Sequence, residues 1–141
     1  MKVYTSLWVL DLSRRTNKVP DPKAESYLRS LDDRHGELRP HRGAAWSRML
    51  GRHAVGKVSY EQVLAAADTP GKRAEAYFYE AMRRLADGKT DDAHQLWHKV
   101  LETRMFSFFE FDMASRYLRL GAPTSPVAAP NENPGRSAEA I

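Results

Sequence analysis

Two histidines and a glutamate stand at four-residue intervals in the second half of the chain, as His94, His98 and Glu102. On a helix this spacing puts the three side chains on one face, and imidazole and carboxylate are ligands that zinc or nickel accepts. They would still need a fourth ligand and neighbours that orient the rings, and their face is turned away from the apolar stripe of the same helix. We therefore predict solvated polar residues here, with no metal and no other cofactor.

A basic segment lies nearer the start of the chain and contains Arg34, His35, Arg39, His41 and Arg42. Such a segment can meet phosphate or a carboxylate-rich partner. The whole chain has 22 basic and 18 acidic residues, a net charge of +4 and a pI near 9.5, which is a mild excess. Aromatic residues are not interleaved with these charges, as a single-strand binding groove requires. A nucleic-acid-associated basic protein is therefore the alternative function and not the first.

The sequence carries no motif that predicts catalysis. It has no phosphate-cradling glycine loop, nucleophile elbow or metalloprotease helix. Asp91 and Asp92 stand at a predicted helix start, where the helix dipole favours negative charge without any catalytic role. The 141 residues include no cysteine, which excludes disulfides, thiolate ligands and a cysteine nucleophile and favours the cytoplasm. We predict a non-enzymatic protein with no catalytic residues.

Hydrophobic periodicity predicts an all-α chain of seven helices in one domain over residues 1–121. The helices are expected at about 4–15, 22–32, 43–53, 59–67, 72–87, 91–103 and 106–120. Asp21 before Pro22, and Ser59 three residues before Gln62, are helix-start signals, and Gly121 is a stop signal. Residues 122–141 have few large apolar side chains and are predicted to be disordered. No run of about 18 apolar residues predicts a membrane span.

The stretch from Ala74 to Glu102 matches a tetratricopeptide (TPR) hairpin. Tyr77, Ala81, Ala93 and Trp97 fit the pattern of aromatic and small residues, and Gly88 stands in the turn. Glu80, Arg84 and Met105 depart from it and suggest a terminal repeat with a partly solvated edge. Sliding the chain by slightly less than the usual period of about 34 residues reveals a fainter copy upstream. The resemblance implies a TPR-like right-handed α-solenoid of about seven helices.

Over about Tyr4 to Gly121 the chain also resembles the TPR module of bacterial NlpI-like proteins. The resemblance is carried by Leu7-Trp8, Trp46, Leu50-Gly51, Ser59 to Leu64, Glu75 to Tyr79, Phe109-Glu110, Ala114 and Leu118. It implies an envelope adaptor that dimerises and docks proteases or cell-wall hydrolases. The lipid-anchoring cysteine of that family is missing, so a periplasmic location is expected only if an upstream signal is missing.

TPR geometry implies a partner-binding groove lined by the first helix of each hairpin. Carried over residue by residue, its lining comprises Glu75, Phe78, Met82, Leu85 and Ala86. A mostly apolar groove suits an amphipathic helix or an extended peptide. Replacing Phe78 by alanine is then expected to weaken partner capture and to leave the helical content intact.

The last predicted helix has apolar residues on two sides. One side, predicted to be core, contains Phe106, Phe109, Met113, Tyr117 and Leu120. The other contains Phe108, Phe111 and Leu118, and is predicted to be an interface because the final helix of a solenoid otherwise turns a polar face to water. The function predicted overall is a non-catalytic protein-binding adaptor that can form a homodimer. A self-associating structural module is a further alternative.

Overall fold

The computed structural model describes residues 2–17, 19–32 and 44–121. Within these ranges the chain is entirely helical and has no strand, so the all-α prediction is confirmed. The seven α-helices are α1 (Val3–Asn17), α2 (Pro22–Arg29), α3 (Ala44–Ala54), α4 (Tyr60–Ala66), α5 (Pro70–Ala86), α6 (Thr90–Glu102) and α7 (Phe109–Leu120). A 3-10 turn, Ser30–Asp32, follows α2 directly. The predicted basic segment (Arg34, His35, Arg39, His41, Arg42) and the predicted disordered tail (122–141) lie outside the described residues.

Two helices begin at the capping residues that the sequence indicated. The Asp21 side chain accepts a hydrogen bond of 2.8 Å from the backbone N–H of Ala24, ahead of α2. Ser59 and Gln62 form the reciprocal capping box at the start of α4, each side chain accepting from the other residue's backbone N–H. These bonds satisfy N–H groups that have no partner within the first helical turn.

Helix α5 begins two residues earlier than predicted, at Pro70. The hydroxyl of Thr69 accepts a hydrogen bond of 3.2 Å from the backbone N–H of Lys72, which makes Thr69 the N-cap. Proline is favoured at the first helical position because the amide that it lacks would be unpaired there. The Pro70-Gly71 pair, which the predicted bounds left between two helices, is therefore part of the start of α5.

Helix α7 begins three residues later than predicted, at Phe109. Arg104 has a φ of 56°, a left-handed conformation that takes the chain out of the helical path after α6. The following turn is held by the side chain of Phe108, which lies directly over Gly71. A Cβ atom added to Gly71 would stand 2.6 Å from Cζ of Phe108, so only glycine allows this contact.

The turn between α3 and α4 has the same geometry as the turn between α5 and α6. Gly56 and Gly88 take φ values of 81° and 78°. In each turn the next residue, Lys57 or Lys89, donates its backbone N–H to the carbonyl five residues earlier, at 2.9 and 2.8 Å. This is the Schellman arrangement, in which a left-handed glycine ends a helix. The two turns are 32 residues apart (88 − 56), the spacing of the faint sequence repeat.

Helix α5 lies at the centre and packs against α1, α3, α4, α6 and α7. Where α5 meets α6, Ala81 and Ala93 are completely buried, and Trp97 fills the space beside them. In a one-dimensional array each repeat contacts only its neighbours, whereas α1 here also packs on α5. None of the described helices combines the length and apolar character needed to cross a bilayer.

Candidate functional site

Helix α1 covers the face of α5 that was predicted to form a partner-binding groove. Phe78 is completely buried and Met82 is 3% exposed. The indole of Trp8 lies against Phe78, with 5.6 Å between ring centroids. Phe78 and Met82 are therefore core residues, and the prediction that they line an open groove is corrected. The physical reason is that the chain's own first helix takes the place expected for a ligand.

Glu75, another predicted groove residue, ties three helices together. One carboxylate oxygen accepts a hydrogen bond of 3.0 Å from the hydroxyl of Tyr4 in α1. The other accepts from the indole N–H of Trp46 in α3. Burial and the nearby Glu110 carboxylate hold the pKa of Glu75 above its ordinary value. Glu75 thus anchors α1 over the would-be groove.

A second buried carboxylate, Glu110 in α7, binds the central helix. It accepts a hydrogen bond of 3.0 Å from the hydroxyl of Tyr79. Burial and the Glu110 charge raise the pKa of Tyr79 well above that of a free phenol. Glu110 and Glu75 therefore fix α7 and α1, respectively, to α5.

A third polar group joins α3, α5 and α6. His53 is almost fully buried and places Nδ1 2.9 Å from the carbonyl of Val58 and Nε2 2.9 Å from Glu80. Each ring nitrogen therefore lies within hydrogen-bonding distance of an oxygen atom. Glu80 also accepts from Arg84 at 2.9 Å, and Arg84 binds Asp92 at 3.0 Å. Although burial opposes ionisation, the hydrogen bonds from His53 and Arg84 lower the pKa of Glu80.

Glu80 and Arg84 were interpreted from the sequence as signs of a partly solvated edge. Glu80 is instead buried, and its hydrogen bonds with His53 and Arg84 satisfy its carboxylate there. Asp92, which was expected only to favour the helix dipole, binds Arg84 at the start of α6. Glu80, Arg84 and Asp92 thus join the central hairpin to α3 through His53.

The remaining predicted groove residues, Leu85 and Ala86, are half-buried near the end of α5. Ala86 lines an open cleft of about 330 Å³ at that end. Two guanidinium groups, those of Arg14 and Arg83, also face the cleft. The predicted groove lining is therefore divided between the core, the contact with α1 and this cleft.

The predicted interface residues of the last helix are partly covered by the chain itself. Phe108 lies over Gly71, and the ring of Phe111 packs edge-on against Phe106 at 5.0 Å. Leu118 is also half-buried against the core. These residues contribute to packing within the chain, and none of them is fully open to a partner.

The predicted core side of the last helix is the more exposed one. Phe106, Phe109 and Leu120 are 68%, 53% and 72% exposed. The buried face of α7 is formed by Glu110, Ala114 and Tyr117, which recur at helical spacing. The sequence prediction placed Tyr117 in the core but missed the rest of this face, because Glu110 is charged and Ala114 is small.

Helices α1 and α7 meet through long side chains. Trp8 packs edge-on against Phe109 with 5.0 Å between centroids. Seven residues further along α1, the guanidinium of Arg15 lies 5.8 Å from the ring centroid of Tyr117, eight residues further along α7. Between these two contacts, Leu12 of α1 is 46% exposed and Met113 of α7 is half-buried. We define the α1–α7 surface as Trp8, Leu12, Phe109, Met113 and Leu120.

His94, His98 and Glu102 lie on α6, as predicted, but do not converge on a common point. The ring of His94 packs against Trp97 at 5.4 Å, whereas His98 and Glu102 are exposed. Across residues 2–17, 19–32 and 44–121, no group of three or more histidine, aspartate or glutamate side chains is placed to hold a metal ion.

Two features of the site were missed by reasoning from the sequence. Glu110 could have been found, because it is a lone charge between Phe109 and Phe111 in an aromatic run. The pairing of His53 with Glu80 had no local signal, since the two residues are 27 positions apart and neither completes a motif.

Comparison of the chain with protein-family models, with curated proteins and with solved structures gave no match. Its function is therefore inferred from its own residues and their geometry.

Proposed function

We propose that this chain is a non-catalytic, TPR-like array of helical hairpins that binds an amphipathic helix of a partner protein along the α1–α7 surface. The observation that carries the proposal is Phe109, whose ring is half exposed although it packs against Trp8. Leu12 and Met113 continue the apolar surface from this pair. Contiguous exposed apolar side chains with aromatic anchors are typical of interaction sites.

The hairpin array is supported by the repeated turn at Gly56 and Gly88 and by the complete burial of Ala81 and Ala93 on the two helices of the central hairpin. Hairpins of this kind bury their apolar faces by stacking and leave surfaces that bind other proteins. Because α1 covers the inner face of α5, the surface available for a partner lies between α1 and α7. This location replaces the groove that was predicted from the sequence.

The shape and charge of the surface favour a helical partner with acidic flanks. Two helices joined by long side chains present apolar groups along their junction, against which a third helix can pack. Arg116 and Arg119 are exposed on α7. Helical spacing puts Arg116 between Met113 and Leu120 on one face, and the chain as a whole carries a charge of +4. A helix with apolar residues at three- and four-residue spacing and glutamate or aspartate beside them complements both features.

The test compares two variants that each remove one exposed apolar side chain. Phe109→Ser removes the centre of the α1–α7 surface, and Val19→Ser removes a side chain that is 65% exposed and lies on neither α1 nor α7. Proteins captured from the native source by the wild-type chain are identified, and their amphipathic helices are synthesised as peptides. Titration calorimetry then measures the affinity of each peptide for the three proteins.

We expect a peptide to bind the wild type and Val19→Ser equally, and to bind Phe109→Ser at least about tenfold more weakly, since anchor residues typically contribute 2 kcal/mol or more. A cooperative thermal unfolding transition in each variant establishes that both fold. Equal binding of the peptide to the two variants would remove the α1–α7 surface as the binding site.

Self-association is a second candidate, because Phe106 and Leu120 are also exposed on α7 and its preceding turn. Sedimentation velocity over a hundredfold concentration range distinguishes the two functions. A dimer that forms with rising concentration and is lost in Phe109→Ser would assign the surface to a second copy of the chain. A monomer at every concentration would leave it to another protein.

A further inference from the structure

The open cleft at the ends of α1, α3 and α5 is separate from the α1–α7 surface, and its role does not depend on the function proposed above. Its volume of about 330 Å³ is at the lower end of the range of small-ligand pockets. Three helices supply its walls, namely Arg14 from α1, Ala54 with Val55 and Gly56 from the end of α3, and Arg83, Ala86 and Asp87 from the end of α5.

Arg14 faces this cleft with most of its hydrogen-bonding capacity unused. Its Nη1 donates to the carbonyl of Ala54 at 3.1 Å, at the end of α3. Within the described part of the chain no carboxylate forms an ion pair with Arg14. A guanidinium has five N–H donors, so several remain for a ligand. Burial and the charge of Arg83 lower the pKa of Arg14.

Arg83 faces the same cleft and is only weakly neutralised. Its Nη1 lies 3.6 Å from a Glu80 oxygen, but Glu80 already accepts shorter bonds of 2.9 Å from His53 and Arg84. The same Nη1 lies 3.3 and 3.4 Å from the two ring nitrogens of His53. The Glu80 carboxylate is therefore shared by Arg83, Arg84 and the His53 ring.

The charges around the cleft favour an added anion. Two guanidiniums, those of Arg14 and Arg83, and one carboxylate, that of Asp87, line the cleft, so its described lining carries a net positive charge. The carbonyl of Ala54, which would repel an anion at a helix C-terminus, is already bonded to Arg14. A ligand with two negative charges that lies between the two guanidiniums would offset the repulsion between them and accept hydrogen bonds from both.

We propose that this cleft binds a phosphate group that carries two negative charges, held between Arg14 and Arg83. Planar guanidiniums bind phosphate oxygens in pairs, which fixes the ligand as well as attracting it. The bound group bridges α1 and α5. Binding therefore stabilises the docking of α1 on the central helix.

The test measures the melting temperature and the affinity of the whole chain with inorganic phosphate, acetate or chloride at constant ionic strength. We expect a saturable rise in melting temperature with phosphate and a smaller response to acetate, which has one charge. Arg14→Gln and Arg83→Gln should each weaken phosphate binding about tenfold. Arg116→Gln removes an exposed arginine on α7, away from the cleft, and should bind like the wild type.

Two further measurements complete the test. Phosphate should shift the backbone amide signals of Gly56 and Asp87 in the NMR spectrum of the wild-type chain, which does not depend on any variant folding. Phosphoserine is titrated beside inorganic phosphate; tighter binding identifies a phosphomonoester as the ligand, and equal binding identifies free phosphate. The proposal is overturned if phosphate acts no more strongly than acetate, if Arg83→Gln binds like the wild type, or if the two amides do not shift.

Discussion

Replacing Phe78 by alanine tests whether α1 covers the inner face of the central helix. The ring is completely buried, and its centroid lies 5.6 Å from that of Trp8 and 6.4 Å from that of Tyr117. Truncating a fully buried phenylalanine typically costs about 3–5 kcal/mol, because apolar contacts are lost and a cavity remains. We expect Phe78→Ala to lower the free energy of unfolding by about 4 kcal/mol.

Phe109→Ala is the matched control, since the same side chain is removed from a site where the ring is half exposed. Half of the transfer free energy of a phenylalanine is about 1 kcal/mol. The assay is urea unfolding followed by circular dichroism at 222 nm. With a slope of roughly 2 kcal/mol per molar urea, the midpoint should fall by about 2 M for Phe78→Ala and by about 0.5 M for Phe109→Ala.

If Phe78→Ala does not fold, Phe78→Leu keeps most of the volume and should cost about 1–1.5 kcal/mol. Equal losses of stability for the two alanine variants would refute the reasoning. They would mean that Phe78 is as accessible as Phe109, and that α1 does not remain docked on α5 in solution.

Three further changes test individual contacts. Burial raises the pKa of Glu75, so its contribution to stability falls as pH rises above about 4.5. In urea titrations the free energy of unfolding of Glu75→Gln should therefore increase relative to that of the wild type between pH 4 and 7. An unchanged difference would contradict this. His53→Ala should cost about 3 kcal/mol because it leaves Glu80 less well paired, and a loss below about 1 kcal/mol would show the pair to be dispensable. Gly71→Ala should cost about 1–2 kcal/mol by displacing Phe108, and adding Phe108→Ala should remove this strain, as a double-mutant cycle will show.

Much of the local structure could be predicted because it depends on neighbouring residues. The caps at Asp21 and Ser59 and the stop at Gly121 are short-range signals, and each is present in the structure. The starts of α5 and α7 were misplaced because they depend on a contact across the fold. Gly71 and Phe108 are 37 positions apart (108 − 71), and neither residue alone indicates the other.

The site was harder to predict than the helices. Phe78 was assigned to a groove because the repeat geometry places it on the inner face of the hairpin. What the repeat pattern does not contain is the position of α1, which fills the same face. Phe106, Phe109 and Leu120, which were predicted to be core, are exposed for a related reason. The buried face of α7 includes Glu110, and the burial of its carboxylate depends on the hydroxyl of Tyr79, 31 positions away.

The docking of α1 also has a consequence for the order of folding. Tyr4 and Glu75 are separated by 71 positions, whereas α5 and α6 are joined by a short turn. Contacts between distant residues form more slowly than local ones because a longer loop must close. During synthesis α1 leaves the ribosome before α5, yet its binding site is complete only after α5 has emerged. Leu7, Leu10 and Trp8 therefore remain uncovered during this interval, when the nascent chain is most open to chaperones and to aggregation.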